Sequence, residues 1–216
     1  MVDLDFAVEK AMVAPYSAAP LLMFPLMIEN RTPALAIENV MLNCQIRIEA
    51  QRRAYSSNER DHLSELFGNP QDFSLNLRSL LWTHVSLCVP AFNEKCNIDL
   101  PVPCSFDFNI AATKYFHGLE AGETPLTLLF SGSVFYRDAG GALQIAQISW
   151  TKEAASRLPA AVWQSMMDQY YPRSAWLRLS RDTFDRLYLY KRERGLATFE
   201  QALDHLLQSN AESIIS

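Results

Sequence analysis

Ile98-Asp99-Leu100-Pro101-Val102-Pro103-Cys104-Ser105-Phe106-Asp107-Phe108-Asn109-Ile110 alternates apolar and polar residues without a break. Wound as a helix, the stretch would scatter its apolar side chains around the whole circumference. Extended, it places all of them on one face. The spacing therefore predicts a strand over 98–110, with Asp99, Asp107 and Asn109 turned away from a core. Pro101 and Pro103 lack the N–H that a sheet ladder needs. They put the first half of this strand at a sheet edge or in an irregular extended segment.

Working outward, the same period recurs on both sides. Leu42, Cys44, Ile46 and Ile48 alternate with Asn43, Gln45, Arg47 and Glu49, which is one buried face and one polar face. Such strands suit an antiparallel sheet. Further strands are expected over 4–8, 21–28, 81–89, 126–136 and 143–150. The second of these reads as buried on both faces, and Pro25 demotes it toward an edge or a bulge. Gly132 marks a bulge or a tight sheet contact in the fourth. Asp138-Ala139-Gly140-Gly141 closes a hairpin between the last two. Between strands, Ser56-Ser57-Asn58-Glu59 has the form of a capping box, and Gly68 ends the inserted helix that it opens.

After Trp150 the period changes. Pro159 suits a first helical turn, and Val162, Trp163, Met166 and Tyr170 follow at helical spacing until Pro172. Ser180 can cap a helix stopped by Gly195, and Thr198 with Gln201 opens another. Strands first and helices last indicate an α+β class. The expectation is a mostly antiparallel β-sandwich-like domain with a helical insertion and two or three C-terminal helices. Residues 1–208 form a single domain in this reading. Residues 1–150 are its β part, 151–208 its helical part packed on the sheet, and 209–216 a frayed tail.

The 216 residues suffice for a core without disulfides or metals, and 49% apolar with 20% charged residues is an ordinary globular balance. A net charge of −5 without basic blocks argues against nucleic acid and gives no polybasic membrane anchor. The start, Met1-Val2-Asp3-Leu4-Asp5, lacks the positive and apolar runs of a secretory signal, and 21–28 is too short to span a bilayer. The chain is expected to be cytoplasmic, without membrane insertion. Cys44, Cys88, Cys96 and Cys104 form no C-x-x-C pair and are expected to be free thiols rather than zinc ligands.

No P-loop, dinucleotide fingerprint, nucleophile elbow or H-E-x-x-H occurs, so no catalytic, cofactor-binding or metal-binding residue is assigned. His62 and His205 read as surface residues on helices. His84, beside Trp82 on a strand, and His117, read as a strand end in Lys114-Tyr115-Phe116-His117-Gly118, are the histidines with catalytic or ligand potential. Each would need a partner brought near by folding. Asp99, Asp107 and Glu123 read as the polar side of strands and turns. Two stretches have interface-like composition. Arg47 and Arg53 fall, with Glu49, on the polar side of one strand. The aromatic, basic run from Trp176 to Arg194 includes Arg192. The four candidate interaction residues are thus Arg47, Arg53, Trp176 and Arg192.

Several segments resemble an uncharacterised bacterial family of about this length: Cys44-Gln45-Ile46-Arg47-Ile48-Glu49, Leu66-Phe67-Gly68, Leu100-Pro101-Val102-Pro103-Cys104, Pro125-Leu126 with Phe130-Ser131-Gly132, and Trp176-Leu177-Arg178-Leu179. Members of that family are often encoded near [NiFe]-hydrogenase genes. The resemblance implies a role in the assembly, maturation or partner binding of such an enzyme. The leading expectation is a non-catalytic binding or accessory protein with a protein partner and no cofactor. Its alternative is a small enzyme or metal-handling protein using His84 or His117.

Overall fold

A computed structural model describes residues 2–105, 110–174, 177 and 179–215, the last six by backbone alone. It divides into two compact units, 1–174 and 175–216.

The first unit holds two antiparallel sheets. One is built on β3 (Leu21–Asn30), which pairs along one side with β1 (Leu4–Val8) and then β2 (Met12–Val13), and along the other with β6 (Lys95–Pro103). β6 pairs with β3 alone, so it is an edge strand, as Pro101 and Pro103 require. Leu100, Val102 and Cys104 are buried in phase. The strand does not run on to Ile110: it ends at Pro103, and Ile110 opens helix α4 (Ile110–His117). Phe106, Asp107, Phe108 and Asn109 lie outside the described residues. Ala112, Tyr115 and Phe116 recur at helical spacing and are buried, which is why the chain turns helical there.

Pro25 lies within β3, a strand paired on both sides, and not at an edge. Its carbonyl accepts from the Glu9 N–H at 2.9 Å, at the point where the neighbour changes from β1 to β2. The N–H that proline lacks would face this same crossing, so the missing donor falls just past the last β1 pair, Val8 with Leu26, and not within the ladder. β3 is also buried on one face only, its residues alternating along the strand.

In the second sheet β4 (Ile37–Ile48) lies between β5 (Leu80–Val89) and the long β7 (Glu123–Arg137). β7 pairs first with β9 (Glu153–Pro159) and then with β8 (Leu143–Gln147). β9 corrects the expectation that residues after Trp150 are helical. Its inward side carries Ala154, Ser156 and Leu158, and with only Leu158 large the two-residue period is hidden. Gly132 sits where β7 changes partner, at φ +134°, and a Cβ there would stand 1.9 Å from the Met41 carbonyl oxygen. It is a close backbone approach within the part of the β4–β7 pairing, Asn39 to Ile48, whose register is continuous; the shift in that pairing lies between Ile37 and Asn39.

The inner faces meet in one core, where Phe6 stacks on Phe130 with centroids 4.3 Å apart. The insertion, α1 (Ser57–His62), α2 (Ser64–Phe67) and α3 (Phe73–Asn76), closes one end of the core with α4. Ser56 caps α1: its Oγ accepts from the Glu59 N–H at 3.1 Å, and its own N–H donates to Glu59 Oε2 at 3.0 Å. Helix α5 (Ala160–Tyr170) packs by Trp163, which stacks on Phe116 at 4.5 Å and meets Trp82 edge-on at 6.2 Å.

The second unit is a helical hairpin. α6 (Arg181–Glu193) starts at Ser180, whose Oγ accepts from the Thr183 N–H at 3.2 Å. α7 (Phe199–Ile215) follows and remains helical past Ser209, where the sequence marks a tail.

Candidate functional site

Arg47 and Arg53 do not share an exposed strand face. β4 ends at Ile48, a short 3-10 turn follows over Ala50–Arg52, and the chain bends so that Arg53 points inward. Arg47 is half-buried and donates through Nη2 to Ser79 Oγ. The Arg53 side chain is 8% exposed and its Nη2 donates to Glu59 Oε1 at 2.7 Å and to the Ala121 carbonyl. Its guanidinium lies 4.9 Å from the centroid of Tyr55, an attraction that offsets part of its desolvation. Glu59 Oε1 also accepts from the Glu120 N–H at 3.0 Å. Burial raises the Glu59 pKa, but the hydrogen bonds from Arg53 and from the Ser56 and Glu120 backbones outweigh it, and the net shift is downward. This pair fastens α1 to the loop after α4. It is a structural clasp: Arg53 Nη1 has no hydrogen-bond partner among the described residues, but it is buried and so is not offered to a partner at the surface. Glu49, expected on the polar side, is likewise buried.

Trp176 lies outside the described residues. Arg192 is exposed in the last turn of α6.

Folding does bring His117 near other polar groups. It lines a groove of about 250 Å³ between α1–α2 and the end of α4, together with His62, Glu65, Leu66 and Lys114, whose ammonium pairs with Glu65. His117 thus ends a helix rather than a strand. His84 stands apart from it, exposed on the open face of the second sheet opposite Gln45. Among the described residues no three His, Cys, Asp or Glu side chains converge as metal ligands. All four cysteines are free. Burial pushes Cys44 and Cys104 up to about 12, so both stay protonated thiols at neutral pH.

A polar cleft of about 510 Å³ opens beside β1, lined by Asp5, Glu29, Arg31 and Lys152. Its charges satisfy one another. Lys152 Nζ reaches Asp3 and Asp5 at 2.8 Å each, and Arg31 Nε reaches Asp5 at 2.6 Å. The hydrogen bonds from Lys152 and Arg31 hold the Asp5 carboxyl below its ordinary range.

The helical hairpin carries an apolar surface of its own. Its two helices join through Phe184 and Phe199, centroids 5.2 Å apart, around the fully buried Ala202. Tyr190 Oη and His205 Nδ1 are 2.6 Å apart. Beside this joint runs a groove of about 570 Å³ lined by Leu179, Leu187, Leu189, Tyr190, Leu203 and Leu206. Arg186 and Glu193 also line it. Phe184, Tyr188, Leu189 and Leu207 are open to solvent within this unit. Sequence reasoning marked the basic and aromatic residues of this stretch. It missed the leucines, which read as ordinary helix-packing positions until the hairpin shows which remain uncovered.

Among the described residues no helix is long and apolar enough to cross a membrane. A search of curated proteins finds no match. Among solved structures the chain is similar, at 12% identity, to one reported as "Crystal Structure of the Putative ApaA Protein from Bordetella pertussis". That likeness covers 73% of this chain and 93% of the other, and at a TM-score of 0.27 it carries no argument. A family model described as "Family of unknown function (DUF6084)" matches residues 1–214, and the chain belongs to that family.

Proposed function

We propose that the chain is a non-catalytic binding or accessory protein and that the α6–α7 groove is its docking surface for a protein partner. The observation that carries this reading is the apolar groove beside the hairpin, with Leu189 exposed and Leu179, Tyr190, Leu203 and Leu206 half-buried, rimmed by Arg186 and Glu193. An apolar centre with a charged rim is the composition of a protein interface, and it is a costly one to leave bare in water. The partner class implied by the family resemblance, a component of [NiFe]-hydrogenase assembly or maturation, belongs to the same proposal. Copurification from the native host, read by mass spectrometry, tests it. Leu189→Asp should remove the partner proteins that the unaltered chain recovers, with helical circular dichroism unchanged. Recovery of the same partners by the variant would overturn the groove as the docking surface.

A second reading is favoured by one observation, the meeting of His117 with His62 and Lys114 in a single groove. It makes the chain a small enzyme or metal-handling protein. Stoichiometric zinc, iron or nickel in the purified protein, lost on His117→Ala, would establish it.

A further inference from the structure

Resting on the reading of the α6–α7 groove as a docking surface, we propose that in the purified chain, with that partner absent, the groove is occupied by a second copy of this chain, with the two α6 helices packed antiparallel about a two-fold axis. Arg186, Leu189, Tyr190 and Glu193 all line the groove and follow one another at three- and four-residue steps, so they form one stripe along α6. Arg186 and Glu193 lie about 10 Å apart along the helix axis, too far to pair with each other. Neither makes an ion pair among the described residues, although other surface charges of the chain do. Their spacing matters because both are equally far from the point between Leu189 and Tyr190. A two-fold axis through that point sets Arg186 against Glu193 of the partner subunit, twice over. It also sets Leu189 against Tyr190 of the partner subunit at the apolar centre. In-register parallel packing would instead stack Arg186 on its own copy and Glu193 on its own copy, which repels.

The stripe is thus self-complementary in charge and in apolar content, which an isologous interface requires of a single patch. Leu203 and Leu206 of α7 supply the floor beneath it. Two hairpins joined this way make a four-helix arrangement in which the exposed Leu189 and the half-buried Leu203 and Leu206 become a core.

Sedimentation of the purified full chain over a range of concentrations tests the proposal. The unaltered protein should associate reversibly to a dimer. Arg186→Glu and Glu193→Arg should each raise the dimer dissociation constant about tenfold or more, because each sets like charges face to face twice. The double variant R186E/E193R should restore the dimer, a result that only reciprocal pairing yields. A chain monomeric at every concentration overturns the proposal, as does a dimer indifferent to the single changes or not rescued by the double one. The two readings fail separately. A monomer whose native-host partners still depend on Leu189 sinks the second copy and leaves the docking surface standing. A monomer whose partners are unaffected by Leu189→Asp sinks both.

Discussion

Replacing Arg53 by alanine would leave the Glu59 carboxylate in a nearly closed site with only backbone N–H groups to hold it. Breaking a buried pair by removing one partner costs about 3–5 kcal/mol, and the remaining donors put Arg53→Ala near the lower figure. Urea denaturation measures it. The pH dependence has a definite sign. The folded pKa of Glu59 lies below its unfolded value, so its stabilisation is full above the unfolded value and is lost as pH falls through the folded one. Glu59→Gln should therefore flatten the acid limb of the stability profile as well as lower stability at neutral pH. Thiol chemistry offers a second residue-scale test. Cys88 is exposed, whereas Cys44 and Cys104 are buried with their pKa near 12. A disulfide reagent should modify Cys88 rapidly in the folded protein and reach Cys44 and Cys104 only on unfolding, with all four titrating in denaturant without reductant. Two missing thiols would mean a disulfide.

At the scale of elements, Gly132 and Ser56 give opposite magnitudes. Gly132→Ala puts a methyl 1.9 Å from a backbone oxygen in the neighbouring strand, at a φ that disfavours any side chain. Neither strand can give way without breaking the sheet, and the variant should fail to reach a soluble folded state. Ser56→Ala removes one cap hydrogen bond and should lower stability by about 1 kcal/mol, visible as a shifted denaturation midpoint. The legibility of the elements follows the same physics. β4, β6 up to Pro103 and the caps at Ser56 and Ser180 could be read because one face is apolar throughout or a specific side chain must bond the backbone. β9 could not, because alanines and a serine carry almost no period. The end of β6 was misread because Ile110 continues the alternation by phase while its packing belongs to α4. The clasp at Arg53 was illegible as such. Alternation places a residue on a face only while the strand lasts, and the chain turns at Ala50. The hairpin's groove was half legible, since the sequence shows an amphipathic helix but not how much of its apolar side a neighbour covers.

Among the described residues, every strand and the continuous core lie within residues 1–174, while α6 and α7 belong to the other unit. Residues 1–174 expressed alone should fold cooperatively, with the near-ultraviolet signal of Trp82 and Trp163 retained. Loss of that signal would mean that the sandwich needs the hairpin and would favour a single domain. The strand order has one more consequence, for the chain as it is made. β4 must wait for β7, roughly 90 residues further along, before its second edge is covered, and β3 must wait for β6. At about 5–20 residues per second the ribosome leaves that edge of β4 open for on the order of 5–20 s. During synthesis the nascent chain therefore presents an unpaired, half-apolar ribbon to whatever surrounds the exit tunnel. Slowing translation just before residue 123 should increase its capture by chaperones, whereas slowing it at the end of the chain, once β7 has left the tunnel, should not.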